Sequence, residues 1–156
     1  MSGKVDAKLK EMGIVLPTPA ASVANYVGYV VTGSLVYISG QLPMENGAIA
    51  VTGHLGDTVP VEEGYRAARI CAINLLSQLY AATDGHLDRI RRVVRLTGFV
   101  NSTASFIDQP KVVNGASDLM VEVLGDAGRH ARISISVPSL PMGACVEVEG
   151  VFEIAV

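Results

Sequence analysis

Cysteine is scarce: two in 156 residues, Cys71 and Cys145, neither in a CxxC and neither at ligand spacing from His54, His86 or His130. That argues against a disulfide or a ligand role and favours two buried free thiols. Charge is also thin. Charged residues make up 17% of the chain against 49% hydrophobic, and the mean hydropathy is +0.39. That is little polar surface for a free monomer, so an oligomer sharing apolar surface is expected. Long apolar runs are missing too, since charge, Gly or Asn interrupts each candidate before the eighteen residues a membrane span requires. The start, MSGKVDAKLKEMG, has no apolar core after its lysine and does not read as a secretory signal. A cytoplasmic protein without a membrane partner is therefore expected. Basic excess is absent as well: a net charge of −3 and a pI near 5.5 argue against a general polyanion binder. Arg89, Arg91, Arg92 and Arg95 form one local exception, better read as a solvated strand start or a network with the acids than as an RNA-binding patch.

The length is that of one domain, 1–156, with an N-terminal arm over 1–21. Within the arm, KVDAKLKEM suits a short amphipathic helix stopped by Gly13, and IVLPTPAAS is broken by proline and extended. YVGYVVTGSLVYISGQ gives two β-rich pieces around Thr32-Gly33-Ser34, and a third short strand follows Asn46-Gly47. From Pro60 to Thr83 the pattern predicts the main helix, with Glu62 and Glu63 favourable at its N-terminal dipole and Asp84-Gly85 as its stop. RIRRVVRLTGFVNS reads as a long strand, and Asp108 with Pro110 opens a second helix to about Leu124. The resulting order, β-β-β-α-β-α-β-β, is an α+β arrangement, a mixed sheet with helices on one face.

The last segment, HARISISVPSLPMGACVEVEG continued by VFEIAV, alternates on both sides of a proline-rich turn. Ile133, Ile135 and Val137 share a face opposite Arg132, Ser134 and Ser136; Val146, Val148, Phe152 and Ile154 share one opposite Glu147, Glu149 and Glu153. If the runs pair as a hairpin centred between Ser139 and Leu140, Arg132 lies opposite Glu147, about 5 Å away at Cβ. A slip of two residues pairs Arg132 with Glu149 or Cys145 instead. The apolar sides are expected against the helices, and the polar sides toward water or another subunit. A surface ion pair and a wall that holds a small acid both satisfy this pattern.

HARISISVPSLPMGACVEVEG together with VYISGQLP at 36–43 resembles the YjgF/Rid family, the reactive intermediate deaminases also labelled L-PSP endoribonucleases. The resemblance spans roughly residues 22–156, and the N-terminal arm with VNGASDLMVEVLGDAG makes the chain most similar to the family's longer subgroup. It implies a chorismate-mutase-like fold, a homotrimer with inter-subunit clefts, no cofactor and no metal. It also implies hydrolysis of 2-imino or 2-enamino acids to 2-oxo acids and ammonia. The family's carboxylate-binding arginine falls on Arg132, its water-orienting acid on Glu147, its ligand-facing tyrosine on Tyr26 and its glycine carbonyl on Gly40. Ser134 and Asn114 are further candidates for the pocket. A planar guanidinium suits a carboxylate, and an acid beside C2 of an iminium suits the positioning of water. Ile133 and Ser134 depart from the family pattern after the arginine. They motivate an alternative, a small-metabolite-binding regulatory protein, with the endoribonuclease third.

Overall fold

In the computed structural model, which describes residues 3–156, the arm forms the helix α1 (Lys4–Glu11) and then runs without regular structure to β1 (Tyr29–Thr32). The turn at Gly33-Ser34 returns the chain as β2 (Leu35–Gln41), antiparallel to β1 as its residues predict. The expected third strand is a small hairpin apart from the main sheet, β3 (Met44–Glu45) with β4 (Ala48–Ile49), turning on Asn46-Gly47. The two long helices form as α2 (Val61–Ala82) and α3 (Gln109–Leu124), and between them lies β5 (Ile90–Asn101). β6 (Ala131–Val137) and β7 (Val146–Ile154) complete the chain. No helix of the described residues is long and apolar enough to cross a membrane.

The main sheet has the order β1-β2-β7-β5-β6, with β5 and β6 parallel and every other pair antiparallel. This is the mixed α+β arrangement that the element order implies, with α2 and α3 on one face. Val36 and Ile38 of β2, Val93, Leu96 and Val100 of β5, and Val148, Phe152 and Ile154 of β7 are buried. They form one cluster with Ala68, Leu75, Leu76 and Leu79 of α2 and Val112, Val113 and Leu119 of α3. Each fully buried large side chain contributes about 1.5–3 kcal/mol. The helices approach closely where Gly115 of α3 faces α2: a Cβ there would overlap the Tyr65 carbonyl and lie 3.1 Å from the Arg69 amide nitrogen.

The predicted hairpin between β6 and β7 does not form. β5 lies between them, pairing Leu96 with both Arg132 and Gly150, and Phe99 with both Ile135 and Glu147. Arg132 and Glu147 are therefore not cross-strand neighbours in any register. The reason is the crossover helix α3, which carries the chain from β5 back to run parallel beside it, so β6 is held by β5 rather than by its sequence neighbour. The connection over 138–145 is long enough to pass one strand and re-enter on the far side.

The expectation that the apolar side of β6 meets the helices is also overturned. Ile133 and Ile135 are 50% and 43% exposed on the sheet face away from the helices, while Arg132 reaches α3. β7 has the predicted orientation, with Val146, Val148, Phe152 and Ile154 buried and the glutamates on the open face. Arg132 and Glu147 thus leave the sheet on opposite faces.

Candidate functional site

The six candidate residues fall into two groups. The first surrounds Arg132 on the helix side of β6, next to Ser134. Asn114 and Ser117, three residues apart on α3, project from the same side of that helix. Arg132 Nη1 donates to Asn114 Oδ1 at 2.7 Å and to Ser117 Oγ at 3.1 Å. Ser134 Oγ is buried and, among the described residues, has no hydrogen-bond partner. No carboxylate of the described residues forms an ion pair with Arg132. A half-buried guanidinium with neutral supports and no ion-pair partner among the described residues has the chemistry to accept an anion from outside.

The second group lies at the β2–β7 boundary. The pairing shifts register between Ile38 and Gln41, a bulge that contains Gly40. A Cβ on Gly40 would collide with the Glu147 carboxylate, so the absence of a side chain is what lets Glu147 lie against that backbone. Burial, and secondarily the charge of Glu149, push the Glu147 pKa up. No cation of the described residues pairs with Glu147. Tyr26, 55% exposed, precedes β1 and lines with Gly40 a cavity of about 450 Å³ between the arm, α2 and the end of β2. Gln41, Asn74 and Gln78 also line it; Arg132 and Glu147 do not.

The structure therefore brings Gly40 to Glu147 and to Tyr26, and Asn114 to Arg132, but it does not bring the two groups together. Asn114 has its carbonyl oxygen occupied by Arg132, so its first task is bracing. Sequence reasoning missed Ser117 and His130, which complete the surroundings of Arg132. The 114/117 spacing in VNGASDL was the available signal. Cys71 and Cys145 are buried and free; burial pushes both thiols up, Cys145 to about 12, and at Cys71 the charges of Cys145 and Glu147 add to the rise. Among the described residues no cluster of three or more His, Cys, Asp or Glu side chains is arranged to hold a metal ion.

Comparison with known proteins adds an independent line. A family model described as "YjgF/chorismate mutase-like, putative endoribonuclease" matches residues 6–153. Protein TCP17 of Trypanosoma cruzi is 49% identical over 154 residues, covering 98% of this chain and 96% of that protein. A crystal structure of a protein of unknown function from Agrobacterium tumefaciens superposes with a TM-score of 0.93 at 49% identity, over 99% of this chain and 94% of the other. One from Shewanella oneidensis, described as a putative endoribonuclease, gives 0.93 at 38% identity, over 97% and 100%. RidA from an Antarctic Psychrobacter gives 0.59 at 25% identity, over 88% and 94%.

Proposed function

The chain belongs to the YjgF/chorismate mutase-like family, and from that premise we propose that it hydrolyses small 2-imino or 2-enamino acids to 2-oxo acids and ammonia. The reaction takes place where Arg132 of one copy meets Glu147, Gly40 and Tyr26 of a second copy, in a homotrimer. The observation that carries this reading is the opposition of the two groups. An unpaired half-buried cation and an unpaired half-buried acid leave the same sheet on opposite faces. Among the described residues of one chain neither has its complement; between two copies each supplies what the other lacks.

In this reading the substrate carboxylate lies on the Arg132 guanidinium, which places C2 of the iminium toward the partner copy. Glu147 and the Gly40 carbonyl hold a water beside C2. As the water oxygen bonds to C2, Glu147 accepts its proton and the C=N π electrons move to nitrogen. Glu147 returns that proton to the carbinolamine nitrogen. As the C–N bond breaks and ammonia leaves, the C2 hydroxyl gives its proton to Glu147 and the O–H electrons form the ketone C=O, after which Glu147 releases that proton to the ammonia. A carboxyl whose pKa is raised by burial is a stronger base once ionised, which suits this proton transfer. Tyr26 forms one wall with its ring and hydroxyl, and Ser134, whose hydroxyl has no partner among the described residues, faces the same side as Arg132.

The test is to generate 2-iminobutyrate or 2-aminoacrylate enzymatically in situ and follow loss of the imine. Wild type is expected to accelerate the loss and Arg132→Ala to fall to the buffer rate; equal rates for wild type, variant and buffer across several such acids rule the reading out. Saturable, Arg132-dependent binding of 2-oxo acids without turnover would favour the regulatory binding protein instead, which Ile133 and Ser134 motivate. RNA cleavage has less support, because Arg92 faces Glu153 and Arg89 faces Asp84 and the Ala155 carbonyl, within a chain of net charge −3.

A further inference from the structure

Behind Arg132 lies a chain of hydrogen bonds that the reaction above does not use. His130 Nδ1 is 2.6 Å from the Gly128 carbonyl oxygen, and its Nε2 is 2.9 Å from Ser117 Oγ. A carbonyl oxygen only accepts, so Nδ1 carries the hydrogen. Burial pushes the His130 pKa down, reinforced by the charge of Arg132, so the ring is neutral at pH 7 and Nε2 is an acceptor. Ser117 must then donate its hydroxyl hydrogen to Nε2. That turns the Ser117 lone pairs toward Arg132 Nη1, 3.1 Å away. Each partner's role in the chain is dictated by the one before it.

At the end of the chain both hydrogens of Nη1 are taken, one by Ser117 and one by Asn114. Nη1 lies on the Cδ side of the guanidinium. The opposite edge, formed by Nε and Nη2, has no hydrogen-bond partner among the described residues. A carboxylate bound bidentately across Nη1 and Nη2 would compete with Asn114 and Ser117; one bound across Nε and Nη2 would not.

We infer that His130 is a positioning residue. Through Ser117 it fixes the rotation of the Arg132 guanidinium, so that a carboxylate docks side-on across Nε and Nη2. The inference rests on reading Arg132 as the carboxylate clamp, but the relay itself does not require a ligand. Hydrogen bonds to a charged group make the loss of the relay worth roughly tenfold or more in affinity.

Two measurements on the full-length protein test it. Nitrogen-15 spectra at neutral pH should show His130 as the Nδ1–H tautomer and Arg132 with slowed rotation about its Nη1 bond. The slow rotation should be lost in Ser117→Ala and His130→Leu and kept in His130→Gln, whose amide oxygen reaches the place of Nε2. Calorimetry with 2-oxobutyrate should give a Kd roughly tenfold weaker in Ser117→Ala and His130→Leu, near wild type in His130→Gln, and no weaker in the double variant Ser117→Ala/His130→Leu than in Ser117→Ala alone. An Nε2–H tautomer in wild type, a measurement that needs no variant to fold, overturns the inference. So does unchanged Arg132 rotation in Ser117→Ala. Absence of 2-oxobutyrate binding to wild type, with the tautomer and slow rotation as stated, overturns the clamp and side-on docking while the relay stands.

Discussion

Glu147 shows how one residue's surroundings set both its chemistry and its cost. Its pKa is raised above the ordinary 4.5 by burial first and by Glu149 second. The folded state therefore holds the proton more tightly than the unfolded chain, and stability falls as pH rises from the ordinary value through the raised one. Glu147→Gln removes that penalty. It is expected to be more stable than wild type at pH 7, with the advantage gone below the ordinary carboxylate value, as urea unfolding at pH 7 and pH 4 would show. The same variant should lose imine hydrolysis, because an amide does not take the water's proton. A glutamine that is both less stable and fully active would contradict both roles. At this scale the sequence was informative about residue type: Arg132 and Glu147 were identifiable as a cation and an acid suited to a carboxylate and a water. Their supports were not, because Ser117 and His130 become neighbours of Arg132 only after α3 packs beside β6.

Among the elements, α1 is held by a residue far along the chain. The Asp88 carboxylate accepts from the Lys4 and Val5 amides at 2.8 and 2.9 Å, satisfying two of the donors a helix leaves free at its start. These two bonds lower the Asp88 pKa, so the cap contributes at neutral pH and is lost as pH falls below the ordinary 3.8 through the lowered value. Asp88→Ala is expected to cost about 0.5–2 kcal/mol at pH 7 and to speed proteolytic cutting in the arm. Unchanged unfolding and cutting would mean that α1 is held by the packing of Leu9, Val5 and Met12 rather than by the cap. The α2–α3 contact makes a sharper prediction. In Gly115→Ala the new methyl meets backbone of the facing helix rather than a side chain that can turn away, so the helices must separate. Urea unfolding should show a loss of about 1–3 kcal/mol. The helices were legible from period and caps, and α3 ends at Leu124, about where its pattern predicts. The seam was not, since nothing in VVNGASDL says which neighbour needs the glycine.

For the whole molecule, the open face of the sheet is the unfinished part. Val30, Tyr37, Ile133 and Ile135 are 52%, 46%, 50% and 43% exposed there, in a chain already short of charge. Covering such a face is what an oligomer does. Ile135→Glu is expected to shift the protein toward monomer in sedimentation velocity and to abolish hydrolysis with it, although the substituted residue is not part of the proposed site. The shared site makes a second prediction. Copies carrying Arg132→Ala and copies carrying Glu147→Gln are each expected to be inactive, but mixed and reassembled they should recover roughly a quarter of wild-type activity, because sites with both groups intact form at random. Recovery of none would mean that Arg132 and Glu147 serve separate sites.

Local patterns determined the elements, because helix period, strand alternation and glycine or proline punctuation act within a few residues. The resemblance carried by HARISISVPSLPMGACVEVEG singled out Arg132 and Glu147 as candidates for the proposed chemistry, since a guanidinium and a carboxylate keep their properties wherever they are placed. The tertiary structure decided the neighbours. The hairpin drawn between β6 and β7 followed from their closeness in sequence and from alternation, which assigns residues to faces but not strands to partners. Insertion of β5 between them depends on the crossover by α3, a long-range event that no local period encodes. It turned an apparent cross-strand pair into two groups on opposite faces of one sheet.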